Sequence, residues 1–315
     1  MSVRTADPII QHLQTLAQEH PDLREAAEVY AALLPILSAI DLQVAPVAIT
    51  PDEARAKMES GVPLLQGVDL AFNDGAAGDL LARLAQALEN VSEENEEKPR
   101  RMASARQIVL LLEAGKLKAG ALWRWVKAGD QAEVIAVAEA WQLDADLLWL
   151  LAQYSLTPAL RKWARQLTPL VGRVEWPQSE CFVCGAEVLF GELQGNGAEK
   201  HLRCGQCGAD WGRRRMQCVF CGNEDHQTLS HLYFEAQRGA RRVEVCDECQ
   251  GYLKVITTFA PTPPELLLVQ DLATVHLDYV AREHGYIRGG LRNKPSPATM
   301  STSVRSSAES TTSPL

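Results

Sequence analysis

The residues of this 315-residue chain whose types and spacing could do chemistry are its eight cysteines. They form four Cys-x-x-Cys pairs, Cys181/Cys184, Cys204/Cys207, Cys218/Cys221 and Cys246/Cys249, and no cysteine lies outside them. Two thiolates separated by two residues can grip one ion, because the backbone between them curls into a turn whose N–H groups point at sulfur. The turn takes a positive φ just after the second cysteine, where glycine is least strained. Gly185, Gly208 and Gly222 stand there, whereas the fourth pair is followed by Gln250-Gly251. Four thiolates around one ion suit the tetrahedral preference of zinc, and iron is bound in the same way. Disulfides are disfavoured in a reducing compartment, and no Cys-x-x-Cys opens a helix in a thioredoxin-like βαβ pattern.

The intervals between knuckles say how the four pairs combine. Nineteen residues separate Cys184 from Cys204, and 24 separate Cys221 from Cys246. Each interval can hold one hairpin. Val188-Leu189-Phe190 runs to Gln194-Gly195-Asn196-Gly197 and returns through Lys200-His201-Leu202. Leu229 to Phe234 turns at Arg238-Gly239 and returns as Val243-Glu244-Val245. A knuckle, a hairpin and a second knuckle make a rubredoxin-like or zinc-ribbon unit, here present twice. The predicted sites are two metal ions, one on Cys181, Cys184, Cys204 and Cys207, the other on Cys218, Cys221, Cys246 and Cys249. A cross-braced pairing of first knuckle with third stays open. With every thiolate used, neither ion keeps a position for water, which is the mark of a structural rather than a hydrolytic site. No catalytic residue is therefore expected. His201, three residues before Cys204, could stand beside a ligand or simply be exposed.

The elements that must position these knuckles follow from periodicity. Up to residue 172 the pattern is helical. Ile9, Ile10, Leu13, Leu16 and Ala17 recur at helical spacing, as do Val134, Ile135, Ala138 and Trp141. Asp7-Pro8, Thr50-Pro51 and Thr157-Pro158 read as helix starts, and Thr50 with Glu53 makes a capping box. Trp123, Trp125, Trp141, Trp149 and Trp163 fall at helical spacing and read as core. The acidic run at 92–97 reads as a solvated break. Trp176-Pro177 marks the change to short strands, Pro261-Thr262-Pro263-Pro264 is a stiff connector, and a helix is expected over about Glu265 to His284. The fold class is multidomain α and β. Residues 1–172 form an all-α domain, 173–215 and 216–262 the two four-cysteine units, 263–290 a C-terminal helix and 291–315 a disordered Ser/Thr/Pro tail. Loss of Cys181 or Cys218 is expected to release one ion and loosen its hairpin while the helices stay folded.

Composition narrows the class of function. Hydrophobic residues make up 46% and charged residues 23%, enough for a sizeable core. The net charge of −9 disfavours nucleic acid as the main partner, because such affinity comes from cations neutralising phosphates. Arg213-Arg214-Arg215 and Arg241-Arg242 are local exceptions that could meet an acidic surface or solvate a face. The first residues lack the apolar run of a secretory signal, and no 18-residue apolar span exists, so a cytoplasmic protein without membrane insertion is expected.

A helical half followed by Cys181-Phe182-Val183-Cys184-Gly185, Cys204-Gly205-Gln206-Cys207-Gly208, Cys218-Val219-Phe220-Cys221-Gly222 and Cys246-Asp247-Glu248-Cys249 resembles the FdhE family of formate dehydrogenase accessory proteins. Trp211-Gly212-Arg213, Met216-Gln217-Cys218 and the close Gln250-Gly251-Tyr252 are similar to that family's core, over about residues 1 to 290. The resemblance implies a cytoplasmic, non-enzymatic maturation protein acting on the catalytic subunit of respiratory formate dehydrogenase before export. It also implies rubredoxin-like sites associated with iron, with zinc the alternative that thiolate count alone allows. A rubredoxin-like electron carrier acting on a client metalloenzyme, and a zinc-ribbon protein binding nucleic acid, are the competing expectations.

Overall fold

The computed structural model describes residues 3–89, 91, 98–172, 176–234 and 239–290, the side chains of 3–8, 98 and 99 excepted. The acidic run at 92–97 and the tail from 291 lie outside these residues. Among the described residues eight α-helices come first: α1 (Val3–Glu19), α2 (Arg24–Ala39), α3 (Pro51–Glu59), α4 (Asp74–Leu88), α5 (Lys98–Glu113), α6 (Ala119–Ala128), α7 (Gln131–Ala140) and α8 (Ala145–Val171). Side-chain caps set the starts of α3, α4, α7 and α8. Thr50 accepts from Glu53 N while Glu53 accepts from Thr50 N, the expected capping box, and Asn73, Asp130 and Asp144 accept from the third residue of α4, α7 and α8.

Helix α8 is the axis on which the others pack. It lies against α3, α4, α6 and α7 and buries Leu148, Leu151, Leu156 and Trp163 among Leu80, Leu81, Leu84 and Trp123. Each such side chain contributes roughly 1.5–3 kcal/mol by leaving water. Trp123 Nε1 donates to Ser155 Oγ at 2.8 Å and Trp163 Nε1 to Ala45 O at 2.9 Å, so neither indole leaves a buried donor unmet. Trp125, Trp141 and Trp149 pack against the same core while staying partly exposed.

Two helix starts differ from those the sequence suggests. Helix α1 begins at Val3, so Asp7-Pro8 lies inside it. Thr157 and Pro158 likewise lie inside α8. Thr157 Oγ1 donates back to Gln153 O at 3.1 Å instead of accepting from the next turn. A proline there removes one backbone bond, and burial of the flanking Leu156, Ala159 and Leu160 outweighs that loss.

The strands are β1 (Val188–Gln194), β2 (Glu199–Cys204), β3 (Asp210–Gly212), β4 (Leu229–Leu232), β5 (Arg241–Cys246), β6 (Gly251–Thr258) and β7 (Ile287–Arg288). Both expected strand pairs form, β1 with β2 and β4 with β5, and the turn expected at Arg238 lies outside the described residues. They join into one sheet of order β3-β2-β1-β6-β5-β4, with β7 on β6. The joint is a parallel pairing of β1 with β6, Gly191 opposite Val255. Charge is buried where the units meet: Lys200 Nζ on β2 reaches Glu244 Oε2 on β5 at 2.5 Å.

The helix expected over 265–284 is two, α9 (Leu267–Leu272) and α10 (Val275–Glu283). Between them Thr274 Oγ1 donates to Gln270 O and Asp271 O, while Lys254 Nζ on β6 donates to Asp271 O at 2.9 Å. That ammonium takes up a carbonyl at the end of α9, and the chain turns. No helix among the described residues is long and apolar enough to cross a membrane.

Candidate metal centres

Three knuckles repeat one backbone pattern. Cys181 N donates to Ala186 O and Gly185 N to Cys181 O. Cys204 and Gly208 do the same with Ala209 and Cys204, and Cys218 and Gly222 with Asn223 and Cys218. The closing residue has φ +79° at Gly185, +75° at Gly208 and +77° at Gly222, as the spacing predicts. In the fourth knuckle, the turn from β5 into β6, the left-handed residue is Gln250 itself at φ +54°. Its side chain donates to Asp247 O at 2.6 Å and its carbonyl accepts from Ile287 N at 2.7 Å. These bonds hold a conformation that costs a side-chain-bearing residue about 1–2 kcal/mol. Gly251 serves a different need. A Cβ there would stand 2.9 Å from Phe220 Cδ2 and 3.0 Å from Cys249 Sγ.

The knuckles pair sequentially, so the cross-braced alternative falls. Cys181, Cys184, Cys204 and Cys207 form one group and Cys218, Cys221, Cys246 and Cys249 the other, all four sulfurs of each lying within 4.8 Å of one another. The short Sγ–Sγ distances are 3.4 Å (Cys181–Cys207), 3.5 Å (Cys184–Cys204), 3.6 Å (Cys218–Cys249) and 3.7 Å (Cys221–Cys246). A disulfide needs about 2.05 Å, and all eight thiols are free. A tetrahedron with metal–sulfur bonds of about 2.3 Å has edges of about 3.8 Å. The groups thus fit a four-coordinate soft cation such as zinc or iron.

Their electrostatics point the same way. In the first group the bond from Cys181 pulls the Cys204 thiol well below its ordinary range, while burial pushes Cys181 and Cys207 up. In the second, the bond from Cys249 holds Cys218 at about 5. Burial raises Cys221 to about 11, and its bond to Cys218 raises Cys249 further. Each group shelters one thiolate by itself, and full ionisation needs a cation among the sulfurs. Val183 N and Cys207 N donate to Cys181 Sγ and Cys204 Sγ at 3.4 Å, and Asn223 Nδ2 to Cys246 Sγ at 3.6 Å.

His201 is not brought to the sulfurs. It sits on β2 with Nδ1 2.5 Å from Asp210 Oδ1, and that bond raises its pKa. Four of the five arginines in the two clusters find partners within the fold, and Arg215 is exposed. Arg213 donates to Trp176 O, Arg214 meets Glu224 at 3.2 Å, Arg241 donates to Ala273 O and Arg242 meets Glu244 at 2.8 Å. What sequence reasoning missed is the shell around the knuckles. Pro63 lies against Gly185, Pro264 against Gly208, and Glu192 accepts from Arg203, Gln194 and Thr262 N behind the first group. None of these carries a local spacing that would mark it.

A family model described as FdhE, C-terminal domain, matches residues 216–293. A protein named Protein FdhE homolog from Stutzerimonas stutzeri (strain A1501) is 32% identical over 137 residues, 42% of this chain and 44% of that protein. One of the same name from Aquifex aeolicus (strain VF5) is 30% identical over 119 residues, 36% and 40% of the two. The matched stretch thus spans less than half the length of these curated relatives. The crystal structure of the FdhE protein from Pseudomonas aeruginosa superposes with a TM-score of 0.59 at 22% identity, covering 89% of this chain and 91% of that one, a likeness of fold. The chain is thus similar to FdhE proteins in two respects: an FdhE C-terminal domain matches the stretch that carries the second sulfur group, and the fold resembles that of an FdhE protein.

Proposed function

We propose that this chain is a cytoplasmic accessory protein that binds the catalytic subunit of formate dehydrogenase before export and supports its maturation, without being the dehydrogenase. The observation that carries the reading is the pair of four-sulfur groups in a chain similar to FdhE proteins. Cys181, Cys184, Cys204 and Cys207 would hold one ion, and Cys218, Cys221, Cys246 and Cys249 the other. An ion with four protein sulfurs has no place for water, so such a site fixes structure or, with iron, passes single electrons. Iron is the ion the family resemblance favours, and zinc fits the same sulfurs.

The chain's own residues prepare these sites. The knuckle turns aim N–H groups at sulfur, Glu192 and Arg203 lock β1 to β2 behind the first group, and Asn223 donates to Cys246 beside the second. The test is to purify the chain without oxygen, measure its metal, and titrate it against the immature catalytic subunit. Two ions per chain and a saturable complex are expected. Retained metal with no complex would sink the maturation reading. A second reading, an electron carrier, is favoured by the exposure of Cys221, which brings one sulfur to the surface. It requires a spectrum that dithionite bleaches reversibly, and a colourless zinc protein that still binds its client would remove it.

A further inference from the structure

The two sulfur groups differ in what covers them. Over the first knuckle lies a loop of the helical half. Leu64 N and Leu65 N donate to Phe182 O and Val183 O, and a Cβ at Gly185 would meet Pro63 Cγ at 3.4 Å. Over the second lies the connector before α9, for a Cβ at Gly208 would stand 2.7 Å from Pro264 Cβ. The fourth is strapped by the segment entering and leaving β7. Tyr286 Oη donates to Asp247 Oδ1 at 2.6 Å, Ile287 N to Gln250 O at 2.7 Å, and a Cβ at Gly290 would lie 3.2 Å from Cys249 Sγ.

The third knuckle buries Cys218 and Val219 but is uncovered at its tip. Among the described residues nothing comes within 4 Å of a Cβ at Gly222, the same position in the turn as the covered Gly185 and Gly208. Cys221 is exposed, whereas Cys184 is half-buried and the other six cysteines are buried. Met216, 58% exposed, and the exposed Arg215 stand just before Cys218. An exposed cation and an exposed thioether therefore lead into the knuckle whose second cysteine, Cys221, is the exposed one.

We propose that the second sulfur group is the exchangeable metal centre of the chain, opened at Cys221 by an incoming thiol or chelator, and that the first is a locked centre. This rests on the reading that each group holds one ion. Cys221 is the ligand displaced. A donor atom from outside forms its bond to the ion as the Cys221 sulfur bond breaks, and the ion keeps its oxidation state; an incoming thiol gives up its proton as it binds, and the freed Cys221 thiolate takes one up. No covering element has to leave for this to happen at the third knuckle. At the first group Pro63 or Pro264 must lift first, which adds the free energy of a local opening. The partner class that fits is a protein thiol on a protruding loop, which would reach a soft ion at the exposed Cys221.

The full chain is saturated with zinc without oxygen and challenged with excess EDTA while zinc release is followed. A parallel sample is treated with iodoacetamide, in which a carbon–sulfur bond forms as iodide leaves, and the labelled cysteines are mapped by mass spectrometry. One equivalent should leave at least about tenfold faster than the other, and the first label should fall on Cys221. Cys221→Ser should abolish the fast equivalent and leave the slow one at its original rate. Two equivalents released at one rate, or first labelling within Cys181–Cys207, would overturn the inference. Fewer than two equivalents at saturating zinc would instead overturn the metal reading on which it rests.

Discussion

Leu64 N donates to the Phe182 carbonyl at 2.7 Å, which joins the loop after α3 to the tip of the first knuckle. Leu65 N repeats the contact with Val183 O at 2.9 Å, so the loop runs along the knuckle for two residues. All four residues are buried, and one apolar core runs without a break from Leu80 and Leu151 through Cys181, Phe182 and Val183 to Trp211. The first sulfur group is thus part of the wall of the helical core. The second is tied to that core only through Val219 and Phe220, while Cys218, Cys246 and Cys249 form a small cluster of their own with Phe220 and Leu229.

From that asymmetry follows a difference between two substitutions that the sequence treats alike. Cys218→Ala should free its own hairpin and leave the helices unaffected. Cys181→Ala should also weaken the helical half, because Phe182 and Val183 lose the turn that presents them to Leu64 and Leu65. A loss of about 4 kcal/mol would lower the helical melting temperature by about 10 °C, against less than about 3 °C for Cys218→Ala. Circular dichroism at a helix wavelength reads both. Equal shifts would show that the Leu64–Phe182 contact does not couple the halves.

How much of this was legible follows from how local each signal is. A Cys-x-x-Cys knuckle, its glycine and the Thr50–Glu53 box are set within six residues, and the structure has them where the spacing places them. The parallel pairing of β1 with β6 brings together residues more than 60 positions apart, and no spacing announces it. Lys200, Arg203, Glu192 and Lys254 read as solvent-facing charges in a strand, yet all four are buried because their partners arrive from other strands and helices. Thr157-Pro158 misled because a cap and a mid-helix Thr-Pro look alike until the burial of the preceding turn is known.

Gly251 and Gly222 separate crowding from backbone conformation. Gly251→Ala would press a methyl group against Phe220 and Cys249 Sγ, both within 3.0 Å of it, and should empty the second sulfur group. Gly222→Ala has open space and meets only the cost of a left-handed alanine, about 1 kcal/mol, so it should keep its ion. Metal content of the two variants decides the matter. Retention of both ions by Gly251→Ala would show that β6 can move away from the knuckle.

The His201–Asp210 pair gives stability a pH dependence whose sign is fixed by its geometry. Asp210 raises the His201 pKa above its unfolded value of about 6.5. The contribution is therefore fully present below about pH 6.5 and is lost as pH rises through the folded value. Urea midpoints should fall between pH 5.5 and 8.5, and His201→Gln should flatten that difference. A His201→Gln variant with the same slope would assign the dependence to another group.

Lys254 is the severest single test of the sheet. Its ammonium, on the central strand and 1% exposed, lies 2.7 Å from both Asp278 Oδ2 and Asp271 Oδ1. Asp278 also accepts from Tyr252 Oη at 2.8 Å, so α10 is held to β6 by one buried carboxylate with two donors. Lys254→Met fills the same space but leaves that carboxylate with only Tyr252 and the more distant Arg288, 3.7 Å away. Breaking one side of a buried pair costs about 3–5 kcal/mol, whereas replacing both partners by apolar groups is often neutral. Lys254→Met should therefore lower the denaturant midpoint steeply, and Lys254→Met with Asp278→Leu should recover most of the loss. If the double variant is no more stable than Lys254→Met alone, the ammonium holds the end of α9 through Asp271 rather than α10 through Asp278.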